Sequence, residues 1–452
     1  MATNGRPRFS YKIPKIAVGP ERWDTQKLFL DRDFMLVWFS QIATIFGGTI
    51  LGIAVGLLAG TGEFVEQEVS TSGSAIGLVL FLNNFPSFFI AFIAGVVADW
   101  FDKRKIMIVS NFTRMIFLGI FLIVGGWNYV VLAYAIIFLK AIAKQFFVPA
   151  EAALIPSIVK KENILTANSY FNLTNYVMHI VGFIIAAPLL TLLGARGLMI
   201  LLMTMFVIAS FSILFVRAPK VKVKREISFG KLIDMIKEFW VSFLEGLSYI
   251  VKDRIQRVVL VQNLVGQSFV FVFMALIFVL GEFLVGLTPD NIGLLTVMPV
   301  GAGIAIGVLL INGRLKNWKR MKLTLLGVWT EGLAFSILAI ASMFKWNSVE
   351  ILGLGNGDLV TMITGIATIL IGFGFPFIFI PSQALVQEKT EAGFMGRVYG
   401  VWFAVSQALA SIPALILGYL ADFVLGVPTT LVWMSIIIFT YSIFIYKNRN
   451  IA

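Results

Sequence analysis

Residues 217–257 read RAPKVKVKREISFGKLIDMIKEFWVSFLEGLSYIVKDRIQR, and this stretch divides the chain in two. Its opening run, RAPKVKVKR, is too basic for a lipid interior. The remainder sets Leu232, Ile233, Ile236, Phe239, Trp240, Phe243, Leu244, Leu247 and Ile250 at helical spacing with charges between them. Such a pattern predicts an amphipathic helix lying along a membrane surface. The alternative, that the stretch opens the next membrane span, must accommodate Lys231, Asp234, Lys237, Glu238 and Glu245 in hydrocarbon.

On either side the chain is apolar. Of its 452 residues, 59% are hydrophobic and only 13% charged, with a mean hydropathy of +0.92. A soluble domain would carry about 25% charged residues, so a soluble enzyme is excluded. A bilayer core needs about 20 apolar residues per crossing. Segments of that length recur at about 33–59, 75–98, 106–127, 129–149, 167–191 and 196–216 before the break. They recur again at about 257–284, 290–312, 321–344, 359–382, 395–424 and 428–446 after it. The expected fold is therefore an all-α membrane protein of 12 transmembrane helices in two six-helix bundles. The organisation is an N-terminal extension (1–32), a first bundle (33–216), a basic amphipathic linker (217–256), a second bundle (257–446) and a short tail (447–452). No apolar run in the first 30 residues is long enough for a cleaved signal, so they read as a cytoplasmic extension.

The formal charge of +12 is explained by where the basic residues fall. With the N-terminus placed inside, 31 of the 36 Lys and Arg lie on the cytoplasmic side. Only Arg196 and Lys345 lie outside, and the first external loop carries Glu63, Glu66 and Glu68 with no basic residue. The positive-inside rule then puts both termini in the cytoplasm of a multi-pass plasma-membrane protein. Anionic lipid accounts for the basic balance, and no nucleic-acid partner is needed. With no cysteine and only His179, the chain offers no thiolate or histidine cluster for a metal, and no cofactor is expected. The expected partners are a small-molecule substrate, the bilayer and a coupling proton, with the chain acting as a monomer.

The two bundles echo each other. GVVADWFDKRK (Gly95–Lys105) joins the second and third spans, and GVLLINGRLKNWKRMK (Gly307–Lys322) joins the eighth and ninth. FFVPAEAALIP (146–156) after the fourth span is answered by FIFIPSQALVQ (377–387) after the tenth. Parallel halves with a site at their interface are a transporter arrangement in which one half rocks against the other.

Gly95, Asp99, Arg104 and Lys105, in the order G-x-x-x-D-x-x-x-x-R-K at the end of the second span, resemble motif A of the major facilitator superfamily. PAEAALIPSIVKKENILTANSY (Pro149–Tyr170) and QALVQEKTEAGFMGRVYG (Gln383–Gly400) are similar to its macrolide-efflux and siderophore-exporter branch. The resemblance implies a cytoplasmic latch, in which Asp99 meets the start of the eleventh span near Phe394–Tyr399. Physical chemistry supplies reasons for those residue types. Gly95 would let helices approach closely, Asp99 would face a helix N-terminus, and Arg104 and Lys105 would hold headgroups or Asp102. A topogenic charge cluster would need only some acid and some base there.

Charges inside spans cost several kcal/mol unless paired or hydrated, by order of magnitude. Arg114, Lys140 and Lys144 lie in the third and fourth spans and could form one basic wall, although both lysines could also snorkel toward the surface. Glu331 in the ninth span is the candidate proton-coupling residue, or else a structural acid. The resemblance implies that spans 1, 4, 7 and 10 line the cavity, which selects Gln41, Lys140, Asn263 and Gln267, with Arg114, as substrate contacts. Thr44, Asn83, Asn84, Asn172, Asn175, His179 and Gln262 are further polar residues in spans, of a kind that often serves helix-to-helix bonds.

Some positions depart from the family pattern. IFGGTI (Ile45–Ile50) lacks an acid, Asn111 stands where an acid often precedes the third-span arginine, and GFIIAAP (Gly182–Pro188) is a degraded glycine-proline signature. These departures weaken proton antiport of cationic drugs and favour an anionic or zwitterionic compound, or a lysolipid. No convergent nucleophile, acid and base suggests an enzyme, so no catalytic residues are assigned. A transporter-like sensor without flux remains the alternative of another class. The expectation is an alternating-access exporter of a small amphiphilic compound.

Overall fold

The computed structural model describes residues 28–59, 72–124, 130–160, 163–217, 229–343, 356–391 and 395–448. Most of the N-terminal extension, the loop with Glu63, Glu66 and Glu68, the basic run 218–228, Lys345 and the last four residues lie outside the described residues. Among those described there is no strand. Hydrocarbon offers no water to satisfy a peptide group, so a spanning segment closes its hydrogen bonds within a helix.

The first half contains α1 (Arg32–Ala59), α2 (Gly73–Asn84), α3 (Pro86–Trp100), α4 (Lys103–Ile123), α5 (Val130–Ile158) and α6 (Ile164–Leu214). The linker helix is α7 (Phe229–Lys252). The second half contains α8 (Arg254–Leu280), α9 (Met298–Asn312), α10 (Arg320–Met343), α11 (Asn356–Lys389), α12 (Met395–Phe423) and α13 (Gly426–Lys447). The expected second span is thus two helices. Pro86 occupies the first turn of α3, where its missing N–H removes no intrahelical bond, and the break falls at Phe85. The expected eighth span is also irregular, running through a one-turn helix (Pro289–Ile292) and a π-turn (Gly293–Val297) before α9.

Among the described residues, eleven helical stretches are long and apolar enough to cross a bilayer. One of them, Thr166–Leu214, is 49 residues long and contains Gly194 at φ 64°, a left-handed conformation that glycine adopts without a Cβ clash. Its two arms both lie beside the same short piece of α1. A Cβ on Gly182 would sit 3.1 Å from Thr49, and one on Gly47 would sit 3.7 Å from Met205. The chain therefore reverses at Gly194. The expectation of twelve spans rests on reading that stretch as two.

The first and last helices share one end of the molecule with the charged connections. There the Arg217 amide donates to Asp33 (3.0 Å), Arg104 donates to the Val216 carbonyl (2.8 Å), and Arg254 donates to Asn448 (3.4 Å). This is the termini end; Gly194 and the α12–α13 turn mark the distal end. α7 straps the termini end. Phe243 meets Phe88 of α3 edge-on at 5.7 Å, Glu245 pairs with Arg397 of α12 at 2.7 Å, and Gly246 lies against the Arg397 carbonyl.

Small residues set the packing inside each half. In the second half, a Cβ on Gly303 would overlap the Ile369 carbonyl oxygen, and one on Gly372 would overlap that of Val300, so α9 and α11 meet backbone to backbone. Gly372→Ala should therefore destabilise the protein by about 1–3 kcal/mol, the usual cost of overpacking. Thermal unfolding of the detergent-purified variant checks this. An unchanged midpoint would mean that α9 and α11 are not in such close contact.

Candidate functional site

Charge inside the first half gathers between α1, α4, α5 and α6. Arg114 is 3% exposed. Its guanidinium donates to Asn111 Oδ1 and Ser110 Oγ, both at 3.2 Å, and lies over the rings of Phe147 (5.3 Å) and Phe206 (5.8 Å). Asn111 Oδ1 also accepts from Thr44 of α1 at 3.2 Å, and Ser110 Oγ donates to the Ala143 carbonyl of α5 at 2.6 Å. Arg114 thus ends a hydrogen-bonded chain that fastens α4 to its neighbours. Neutral partners disperse its charge without cancelling it. Glu151 of α5 acts electrostatically on Arg114, although Glu151 Oε1 has no hydrogen-bond partner among the described residues.

Lys140 and His179 both grip α1 at one point. Lys140 Nζ donates to the Gly48 carbonyl (2.8 Å), and His179 Nδ1 lies 2.7 Å from Thr49 Oγ1. Thr49 can give its single proton to the Ile45 carbonyl, 2.9 Å away, in which case His179 Nδ1–H is the donor to Thr49. Lys144, one turn below Lys140, is half-buried and makes no hydrogen bond among the described residues. Gln41 donates to the Phe171 carbonyl at 3.2 Å and leaves its Oε1 unpartnered, so it ties α1 to α6 while keeping a free acceptor.

The second half holds a different set. Gln262 donates to Thr324 (2.5 Å) and to the Ile378 carbonyl (3.3 Å), joining α8 to α10 and α11. Asn263 is buried with Oδ1 unpartnered, and Gln267, one turn on, is half-buried. Glu331 is 1% exposed and deep within its own bundle: its side chain packs on Gly374 of α11 and acts electrostatically on Tyr441 of α13. Thr330 donates to the Leu326 carbonyl and so does not cap it. Glu331 Oε2 and the Tyr441 hydroxyl are both unpartnered among the described residues. Arg114 and Glu331 are each the twelfth residue of their helices, α4 and α10, so the halves carry opposite charges at matching positions. The structure does not bring Glu331 to the other proposed contacts.

Among the described residues, the two halves meet closely at the distal end. Ser72, the N-cap of α2, donates to Asp422 Oδ2 at 2.8 Å, and the amides of Gly73 and Ser74 donate to Oδ1 and Oδ2 at 3.1 and 2.8 Å. A carboxylate from α12 therefore caps the N-terminus of α2 across the seam, where the helix dipole favours negative charge. Glycine permits the approach. A Cβ on Gly418 would overlap the Gly73 carbonyl, and one on Gly77 would sit 2.6 Å from the Ala414 carbonyl. Nearby, Phe183 stacks on Phe278 at 5.9 Å, and a Cβ on Gly293 would reach the Ile184 carbonyl at 2.6 Å.

The termini end differs. Gly95 of α3 and Gly400 of α12 have no described atom within 4 Å of where a Cβ would stand. The Asp99 side chain lies outside what is described. Arg104 forks onto Asp102 (3.2 Å) and Val216, anchoring the α3–α4 turn within the first half, while Lys105 is exposed. Partial burial alone would push the Asp102 carboxyl up, but the bonds and charge of Arg104 hold it below its ordinary value. The stabilisation from this pair is present above the unfolded carboxyl range and is lost only as the pH falls through the lowered one.

Asp422, Ser72 and Glu151 escape a reading of the sequence. A signal for Asp422 exists: GYLADF (418–423) repeats the G-x-x-x-D spacing of GVVADW (95–100), with Ala and an aromatic at the same places. Glu151 sits in plain view inside PAEAALIP, but its neighbour Arg114 is 37 residues away in sequence.

Two helical bundles, a strapped connection and polar groups buried at the junction define a polytopic membrane transporter fold. The chain belongs to the Major Facilitator Superfamily, whose family model matches residues 37–415. It is 25% identical over 390 residues to an uncharacterized MFS-type transporter, YkuC, of Bacillus subtilis (strain 168), covering 83% of this chain and 82% of that protein. It is 22% identical over 408 residues to macrolide efflux protein A of Streptococcus pyogenes, covering 89% and 91%. Among solved structures, a point mutant of the nucleoside transporter NupG matches with a TM-score of 0.68 at 11% identity, covering 92% of this chain and 98% of that one. The POT family transporter PepTSo matches with a TM-score of 0.64 at 13% identity, covering 92% and 95%.

The distal contact can be probed directly because the chain has no cysteine. A single Ala414→Cys placed at the seam should react with a maleimide roughly tenfold faster when combined with Asp422→Ala, corresponding to about 1.4 kcal/mol of lost closure. Equal labelling rates in the two backgrounds would show that Asp422 does not hold the halves together.

Proposed function

We propose that the protein is a secondary active exporter of a small amphiphilic compound, working by alternating access in the plasma membrane with both termini in the cytoplasm. The observation that carries this reading is the Asp422 cap on α2, formed while no described atom lies within 4 Å of a Cβ on Gly95 or Gly400 at the other end of the same two spans. α3 and α12 each end in G-x-x-x-D at opposite faces of the membrane. Asp422 stands at the N-terminus of the helix opposite it, and in this reading Asp99 takes the equivalent role in the alternate state. Asp422 closes the outer side in one state, and Asp99, with Gly95, Arg104 and Lys105, closes the cytoplasmic side in the other. Forming one cap while releasing the other keeps the two states close in energy, as a rocking transporter requires.

The macrolide efflux relatives support export as the direction. Gln41, Asn263 and Gln267 offer polar valence at mid-depth on both halves, suited to a ligand whose polar group must be satisfied away from water. Glu331, a buried acid with a free oxygen and no counter-cation near it among the described residues, is the proton-coupling site in this reading. Because it sits inside the second bundle, it would act by changing the packing of α10 on α11 and α13.

Asp99→Asn should abolish transport, to below about a tenth of the parent rate, with the protein still inserted, as one lost charge–dipole cap of about 1.4 kcal/mol implies. Flux from proteoliposomes loaded with a lipophilic dye measures it, and normal flux would remove the latch. Glu331→Gln should leave counterflow intact but uncouple flux from an imposed pH gradient. An undiminished response to that gradient would place the coupling site elsewhere.

A further inference from the structure

The charges buried in the first half do not balance. Arg114, Lys140 and Lys144 act on one another electrostatically, and Lys140 and Lys144 act in turn on His179. Glu151, about nine-tenths buried, is the one acid among the described residues that acts on this group, and it acts on Arg114. Arg114 also has neutral acceptors on both terminal nitrogens. Neither lysine has an acid among the described residues. Lys140, 4% exposed, holds a single backbone carbonyl, that of Gly48, and Lys144 holds none of the described groups.

Lysine carries three donors, so most of the hydrogen-bonding capacity of this pair is unused. Two unpaired ammonium groups one turn apart repel each other in a low-dielectric bundle, and their cost is relieved by an anion placed between them. Gly48, whose carbonyl Lys140 holds, has no described atom within 4 Å of where a Cβ would stand. His179 and Thr49 add a hydrogen-bonding pair at the same level, and Phe46 and Ile180 supply partly buried apolar surface around it.

Resting on the exporter reading above, we infer that Lys140 and Lys144 form the head-group site for the transported compound, which is an amphiphile bearing one anionic group, a carboxylate or a phosphate. The anion bridges the two ammonium groups and His179 borders it. Glu151 supplies Arg114 with its charge, so that the arginine stays structural and the lysines remain for the ligand. Such a site selects against the cationic amphiphiles that an acid-lined cavity would take.

The test uses two fluorescent probes of nearly the same shape, N-dansyl-phenylalanine and its methyl ester, with the full chain in proteoliposomes. Binding is read from dansyl emission and flux from vesicle efflux. Wild type should prefer the acid by at least about tenfold, the discrimination expected for about 1.4 kcal/mol of differential binding. In Lys144→Gln the acid-to-ester ratio should fall toward one, and it should fall further with Lys140→Gln added. Lys144→Arg should restore it, which separates charge from packing.

Equal binding of acid and ester by wild type, or a ratio unchanged by the glutamine variants, overturns the site. If both probes are exported equally, the exporter reading stands and the anion site falls. If the acid binds in a lysine-dependent way but does not cross, the site stands and the exporter reading falls. Repeating the titration with phosphatidylglycerol in the vesicles distinguishes the sources. Competition by that lipid assigns the site to a phospholipid head group, and unchanged binding assigns it to a soluble carboxylate.

Discussion

Hydrocarbon contains no water to satisfy a peptide group or to solvate a charge, and every feature of this protein answers to that constraint. Backbone groups are satisfied within helices, so the described chain from Arg32 to Lys447 is helical apart from short connections. Apolar surface gives little reason for one helix to prefer another over lipid, so association depends on close packing and on the few polar groups the helices carry. Glycines therefore mark the tightest contacts, as at Gly303, Gly372 and Gly418, where side chains would overlap a neighbouring backbone.

In the proposed alternating-access cycle, the same constraint makes the seam between halves switchable. Asp422 is worth more against the bare amides of Gly73 and Ser74 than it would be in water, yet its position at the membrane surface lets water replace those amides when the halves part. Contacts buried within each half have no such substitute. Arg114, with Asn111, Ser110 and the rings of Phe147 and Phe206, fastens the helices of the first bundle together. α7 links the halves at the termini end, gripping Arg397 through Glu245 and touching Phe88 through Phe243.

Glu331 and Arg114 illustrate how far a position in sequence can be trusted. Both are visible as charges inside apolar segments, and both are indeed buried among helices. Their surroundings are not visible there. Arg114 reads in sequence as part of one wall with Lys140, but it is absorbed by its own helix and by α5 and α6, leaving the lysines without acids among the described residues. Gln41 reads as a ligand contact, and the structure adds that it ties α1 to α6 through the Phe171 carbonyl. The rings over Arg114, the carbonyl that Gln41 meets and the tyrosine beside Glu331 all lie tens of residues away, and a helix pattern says which face is polar without saying what meets it.

From sequence alone came the helical class and the two-bundle plan, because both depend on composition and periodicity read along the chain. The tertiary structure alone decided that Gly194 folds one long helical stretch back on itself, that Asp422 caps α2 and that Lys140 and Lys144 are left without an acid among the described residues. Those outcomes are set by which helices lie side by side. Helix adjacency is a matter of three-dimensional packing between residues far apart in the chain, and local spacing carries no record of it.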